Sequence, residues 1–274
     1  MTRDSNILHG PVFGEQVKTT TIKCLLNHLR PQSGWARVFG IEPRLDEVAV
    51  KKLLTYVPEN VAFYPWMTVR KLLRYAASFR DHWNMDIERD LLERFDLDGT
   101  KKIKNLSKGM KAQVALICAV CPEPDLLLLD EPTSGLDPIV RREFIETVIG
   151  SYQEGDPEKR TVFVSTHLIS EFEGLIDEFT IVEHGKNSIT LETEEARNRY
   201  KRIRMRFEGD PPEIKENGIL KISKNGEHID VLTSEFTPNL ETALRQYSPE
   251  SLAVENLSLE EIFIAAAKME KPNP

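Results

Sequence analysis

Cysteine is scarce, long apolar runs are missing and positive charge is in deficit in this chain of 274 residues. The three cysteines, Cys24, Cys118 and Cys121, are too few for a disulfide framework and suit a reducing cytosol. No apolar stretch approaches the ~18 residues needed to cross a bilayer, so membrane spans would have to come from another chain. The opening residues MTRDSNILHG lack the apolar core of a signal peptide, which predicts a chain soluble by itself. Against 44 Asp and Glu stand 36 Lys and Arg, and a formal net charge of −8 argues against a general nucleic-acid binder. Internal repeats and low-complexity segments are also lacking. The hydrophobic fraction of 40% is nevertheless ample for a buried core, and the length suits one large domain or one domain plus a small appendage.

Glycine is missing where a phosphate-binding loop needs it. The stretch GPVFGEQVKTTT (Gly10 to Thr21) carries Lys18 and Thr19 in the order of the pattern G-x-x-x-x-G-K-[ST]. The two glycine positions hold Val12 and Val17, while Gly10, Pro11 and Gly14 lie in another register. Glycine there lets successive backbone N–H groups curl around phosphate. A β-branched Val17 forced into that left-handed geometry costs ~1–2 kcal/mol. Glu15 brings a like charge towards the phosphates. Since each ~1.4 kcal/mol is tenfold in affinity, weak nucleotide binding is expected.

Periodicity organises the rest. Ile22, Leu25, Leu26 and Leu29 predict a helix from Thr19 to Leu29, stopped by Pro31. SGWARVFG reads as a turn and short strand, and LLTYVPE as a strand ending at Pro58. Val69, Leu72, Leu73 and Ala76 predict one helix, and Ile87, Leu91, Leu92 and Phe95 another. A helix after Ser107 places Met110, Val114, Ile117 and Cys121 on one side. Cys118 and Cys121 form a C-x-x-C inside VALICAVC without a second Cys/His pair nearby, and read as small core residues. DLLLLDEP is a continuous apolar run, as a strand buried on both faces requires. Asp137 and Pro138 look like the cap and first turn of a helix through Val148. TVFVS and FTIVE are further strands around a helix from Leu168, and this alternation predicts a largely parallel α/β sheet. Beyond about Gly185 the character changes. RIRMRFEG and GILKISKNGEHIDVLTS alternate at strand period, with a hairpin turn at Asn225–Gly226, and helices follow near Leu240 to Tyr247 and from Leu259. This predicts two domains, 1–188 and 189–274.

The segment LLLLDEPTSGLDP (Leu126 to Pro138) carries the strongest chemical signal. A buried strand that delivers Asp130 and Glu131 at its carboxyl end puts them where open α/β sheets bind ligands. The first carboxylate can hold Mg²⁺, and the second can orient or deprotonate an attacking water.

This segment resembles the Walker B motif and D-loop of ATP-binding-cassette (ABC) ATPases. NLSKGMK (Asn105 to Lys111) is similar to that family's LSGGQ signature, with Lys108 and Met110 as departures. VFVSTHLISEFEGLIDEFTIVEHGK resembles its switch region, YVPEN its Q-loop with Glu59 in the glutamine position, and RPQSGWARVFG the segment after its first helix. SLEEIFIAAA (Ser258 to Ala267) is similar to the tail of cassette subunits from bacterial exporters. The resemblance covers nearly all of the chain. It implies a P-loop NTPase fold, a parallel sheet with a helical subdomain, and a small C-terminal α/β appendage.

The resemblance further implies ATP and Mg²⁺ as cofactors. Lys18 would pair with the β/γ-phosphates, while Thr19 and Asp130 would ligate Mg²⁺; Thr20, Glu59 and Asp137 would line the nucleotide. Glu131 would be the general base and His167 the γ-phosphate contact. Ser107 and Gly109 would reach the ATP of a second ABC ATPase subunit, in a homo- or heterodimer. The partner in the membrane would be a transmembrane permease subunit, contacted by Glu59 to Arg80, where Phe63, Tyr64, Pro65 and Trp66 could form a docking surface. The chain would then be cytoplasmic, peripheral on the inner face of the cell membrane. Family members normally begin earlier, with further strands and an adenine-stacking aromatic. The alternative reading is a pseudo-ATPase partner subunit that lends Ser107 and Gly109 to a competent site. A soluble cassette ATPase of translation or DNA repair would show two cassettes or a long coiled-coil insertion. Arg202, Arg204 and Arg206 share one strand face, the alternation of a half-exposed strand; no nucleic acid is expected.

Overall fold

The computed structural model describes residues 15–153, 160–183 and 186–269. It begins with α1 (Glu15–Leu25), which buries Ile22 and is followed by the buried Leu26. The expected extension to Leu29 does not form. Asn27 adopts φ +57, and the N–H groups of His28 and Leu29 fold back onto the Lys23 carbonyl, so a left-handed cap ends the helix before Pro31 is reached. In place of the short strand expected from SGWARVFG there is one isolated bridge, Val38 to Ile41. Phe39 and Gly40 both have positive φ (+48 and +81), the signature of a tight two-residue turn that leaves no length for a strand.

Helix α2 (Glu47–Leu53) starts where the Asp46 carboxylate accepts the Ala49 N–H, and runs into β1 (Leu54–Val57). Helices α3 (Val69–Ala77) and α4 (Met85–Arg94) are capped by Thr68 and Asn84. Both pack on α5 (Lys108–Val120), which also contacts β1 and α6 (Pro138–Gln153). The sequence predicts one apolar side for α5, but it is buried almost all round, from Gly109 and Ala112 through Val120. Its small residues let neighbours approach on every face, as a helix apolar all round requires.

Strands β1, β2 (Leu126–Asp130) and β3 (Thr161–Ser165) form a parallel sheet in that order. Every residue of β2 is buried. Leu126 and Leu128 meet Ile22 and Leu26 beside α1, which leaves Leu127 and Leu129 for the opposite face. In register, Val57 lies beside Leu129, and Asp130 beside Ser165. The carboxyl ends of all three strands therefore emerge on one side.

The chain divides into two compact units, 1–167 and 168–274. The second holds α7 (Ile169–Phe172), β4 (Glu178–Glu183), β5 (Lys186–Glu192) and α8 (Thr193–Arg199). FTIVE is thus not a further parallel strand: β4 pairs antiparallel with β5 in a sheet of two. Neighbouring segments in sequence can pair antiparallel through a short turn, whereas parallel pairing needs a long crossover. Residues 188 and 189, on either side of the expected domain boundary, lie inside β5.

An antiparallel sheet follows, ordered β7 (Ile219–Asn225), β8 (His228–Thr233), β6 (Lys201–Arg206), β9 (Ser251–Asn256). Ile203, Met205, Ile229 and Val231 pack under α9 (Pro238–Arg245) through Leu240 and Leu244. The last helix, α10 (Leu259–Met269), packs on α7 and α8. On the other face of β6 each arginine meets acid: Arg202 with Glu261 at 2.8 Å, Arg204 with Glu255 at 3.1 Å, and Arg206 with Glu250 at 3.3 Å. No described helix is long and apolar enough to cross a membrane. Cys118 and Cys121 are free thiols; burial pushes Cys118 up to about 12 and raises Cys121 as well, so neither is a ready thiolate.

Candidate functional site

Parallel strands β1, β2 and β3 bring Glu59, the Asp130–Glu131 pair and His167 to one edge of the sheet, each just beyond or at its strand's end. Asp130 is 2% exposed. One of its carboxylate oxygens accepts the Thr19 hydroxyl at 3.3 Å, and the other accepts the Tyr56 hydroxyl, also at 3.3 Å. The first contact joins α1 to the end of β2 and unites two residues picked out by the sequence. The second was not anticipated. Tyr56 stands beside Leu128 in register, so its ring shares the face of Asp130. Burial first, then the negative Asp130, push its phenol above the ordinary range; it is a fixed neutral donor.

Glu131 leaves the strand with φ +45, a left-handed backbone at a non-glycine residue. Two bonds hold it there: its N–H donates to the Ser165 carbonyl at 2.7 Å, and its own carbonyl accepts the Ser134 N–H at 3.1 Å. Its side chain, 13% exposed, thereby meets the imidazole Nδ1 of His167 at 2.7 Å, while the His167 backbone N–H lies 3.4 Å from the same carboxylate oxygen. Strain held at such a position marks a site whose geometry is fixed by its surroundings.

Ser107 and Gly109 contact other elements. Ser107 caps α5 by accepting the Met110 N–H at 3.1 Å. Gly109 is buried, and a Cβ there would stand 3.2 Å from a Val140 methyl on α6, a contact tight enough that Val140 would have to shift by a few tenths of an ångström. Asp137 caps α6, accepting the Ile139 and Val140 N–H groups at 3.2 and 3.1 Å. Lys108, a departure in sequence, has a definite place: its ammonium donates to the Ser134 carbonyl at 2.7 Å, tying the start of α5 to the loop after Glu131. Glu59 is exposed and lines a cleft of about 230 Å³ with Asn60, Lys108, Lys111 and Ser134. Thr20 is exposed on α1. The backbones of Val17 and Lys18 belong to helix α1, so Val17 does not take the left-handed geometry expected of a phosphate loop; their side chains and that of Glu15, like residues 10–14, lie outside the described residues.

A divalent cation fits this donor set. Among the described residues no cluster of three His, Cys, Asp or Glu side chains could cage a metal. Mg²⁺ instead takes one or two oxygen ligands from protein and completes its shell with water and phosphate. Asp130 and Thr19 offer such a pair, and the buried hydroxyl of Ser165, beside Asp130, has no hydrogen-bond partner among the described residues.

The family model described as ABC transporter matches residues 18–134. The chain is 31% identical over 198 residues to an ABC transporter ATP-binding protein of Alkalihalophilus pseudofirmus, covering 70% of this chain and 72% of that protein. It is 25% identical over 262 residues to the ABC transporter ATP-binding protein YtrB of Bacillus subtilis, covering 93% and 88%. A solved structure of the ATP binding subunit of an ABC transporter superposes with a TM-score of 0.62 at 26% identity, over 69% of this chain and 80% of that one.

Proposed function

Because the chain belongs to the family of ABC transporter ATP-binding proteins, we propose that it binds and hydrolyses ATP to power export through a separate membrane permease. The observation that carries this is the Glu131–His167 pair at 2.7 Å, one residue beyond the buried Asp130 that Thr19 contacts. Lys18 pairs with the β/γ-phosphates, and Thr20, Glu59 and Asp137 line the nucleotide. Thr19 and Asp130 hold Mg²⁺, which when bound neutralises charge developing on the phosphates. Glu131 takes the proton of the attacking water, and His167 contacts the γ-phosphate while steadying that carboxylate. Ser107 and Gly109, at the start of α5, reach the nucleotide of a second subunit, so that the working site is composite. The appendage from about Gly185 onward serves regulation or dimerisation. The permease docks on the segment Glu59 to Arg80 and holds the chain at the inner face of the membrane.

The second reading, a pseudo-ATPase partner subunit, is favoured by Val12 and Val17 at the glycine positions of the loop. Phosphate release at millimolar Mg-ATP separates the two. Hydrolysis that falls about 10²–10⁴-fold in Glu131→Gln supports a working general base. Equal, background-level release from both proteins would favour the pseudo-ATPase.

A further inference from the structure

The Ser165 hydroxyl is the polar group that this ATPase site does not yet use. Ser165 ends β3 and is 2% exposed, and its Oγ has no hydrogen-bond partner among the described residues. A buried, unbonded hydroxyl is costly and uncommon, and where one persists it asks for a ligand or an ordered water. Its place is specific. Ser165 is the register partner of Asp130, and in parallel strands paired residues point to the same face. That face is the one where Thr19 and Tyr56 approach Asp130, and where Phe163 lies against the core beside α1. The Ser165 carbonyl is already committed to the Glu131 N–H at 2.7 Å. One residue thus fixes the backbone of Glu131 and presents, beside Asp130, a hydroxyl with no partner among the described residues.

We propose that Ser165 is a positioning residue for the divalent cation, its hydroxyl hydrogen-bonding a water ligand of the ion held by Asp130 and Thr19. This rests on the ATPase reading above. Mg²⁺ keeps several waters when it binds protein, and groups that orient such outer ligands typically set metal affinity by about 10–100-fold. A hydroxyl can accept from a metal-bound water and donate to a carboxylate or phosphate at once. Thr166 and His167 follow Ser165 directly, so the same turn that sets the hydroxyl also sets the imidazole.

The test is Mn²⁺ binding to the full chain in the presence of saturating ATP, read by electron paramagnetic resonance, for wild type, Ser165→Ala and Ser165→Thr. We expect Ser165→Ala to weaken Mn²⁺ binding about tenfold or more and Ser165→Thr to restore most of it. Without nucleotide or metal, Ser165→Ala should melt no lower than wild type, because the lost hydroxyl has no partner among the described residues. Wild-type Mn²⁺ affinity in Ser165→Ala, or a lowered melting temperature of the ligand-free variant, would overturn the proposal while leaving the ATPase reading intact. A wild-type chain that takes up no Mn²⁺ with ATP would overturn both.

Discussion

At Glu131 a left-handed backbone costs ~1–2 kcal/mol in a non-glycine residue, and the surrounding bonds to Ser165 and Ser134 hold it there. Four residues on, Gly135 has φ +67, and a Cβ at that position would stand 2.6 Å from the Lys108 ammonium. Backbone strain and side-chain collision both oppose a larger residue, and magnitudes decide between them. The lysine is the far end of a flexible, exposed side chain and can swing aside. The backbone cannot move so cheaply. Gly135→Ala should therefore lose roughly 1–2 kcal/mol in urea unfolding, and adding Lys108→Ala should not recover it. A double variant restored to wild-type stability would make the collision the cause.

Among the elements, the turn from α5 into β2 is clamped by one side chain. Glu123, itself at φ +50, accepts from Arg160 at 2.7 Å and from Asn84 at 3.2 Å, and lies 2.7 Å from the His82 ring. It thus joins the caps of α4 and β3 to the turn between them. Burial works against its charge, but the bonds from Arg160, His82 and Asn84 outweigh that and hold its carboxyl below the ordinary value. Glu123→Ala should cost about 2 kcal/mol, the range for hydrogen bonds to a charged group. A folded-state pKa that is depressed adds stability above the unfolded value and loses it as pH falls through the folded one. The difference between wild type and Glu123→Ala should then be full at neutral pH and shrink as pH falls from the ordinary carboxylate value through the lower folded one; a difference that persists unchanged across that window would contradict the clamp. Nothing in the order of residues pointed to Glu123, because its partners come from separate segments. The same holds for Tyr56, Ser165 and Lys108, whose roles depend on strand register and on which loops meet. What could be read were local signals: the four-leucine apolar run of β2, the helix that begins after Ser107, the Asp137 cap, and the carboxylates at a strand end. Local signals also misled. Pro31 advertised a helix stop that Asn27 had already made, and FTIVE looked like its neighbours until β5 supplied a nearer partner.

For the whole molecule, two surfaces follow from a subunit that works in an assembly. The first is aromatic. Tyr64 and Trp66 lie 5.1 Å apart by ring centroid, Tyr64 and Tyr75 5.9 Å, and Tyr75 and Phe79 4.9 Å. Trp66 and Phe79 are 65% and 70% exposed, so the segment faces outward rather than into the core. Exposed patches of this kind are commonly docking sites, and aromatic anchors in them cost about 2 kcal/mol or more when truncated. Trp66→Ala with Phe79→Ala should leave unfolding within ~0.5 kcal/mol of wild type and weaken binding to the permease in detergent or nanodiscs at least tenfold; unchanged permease affinity would remove this face from the interface. The second surface is the composite nucleotide site that the proposed function requires. The central claim is that the chemistry around Asp130, Glu131 and His167 is competent and that Val12 and Val17, standing at the two glycine positions of the phosphate-binding pattern, limit nucleotide affinity. Size-exclusion chromatography with light scattering tests it on Glu131→Gln combined with Val12→Gly and Val17→Gly. The predicted result is a mass that doubles on adding Mg-ATP, at far lower ATP than Glu131→Gln alone requires; a mass that stays that of one chain at saturating Mg-ATP would contradict the claim.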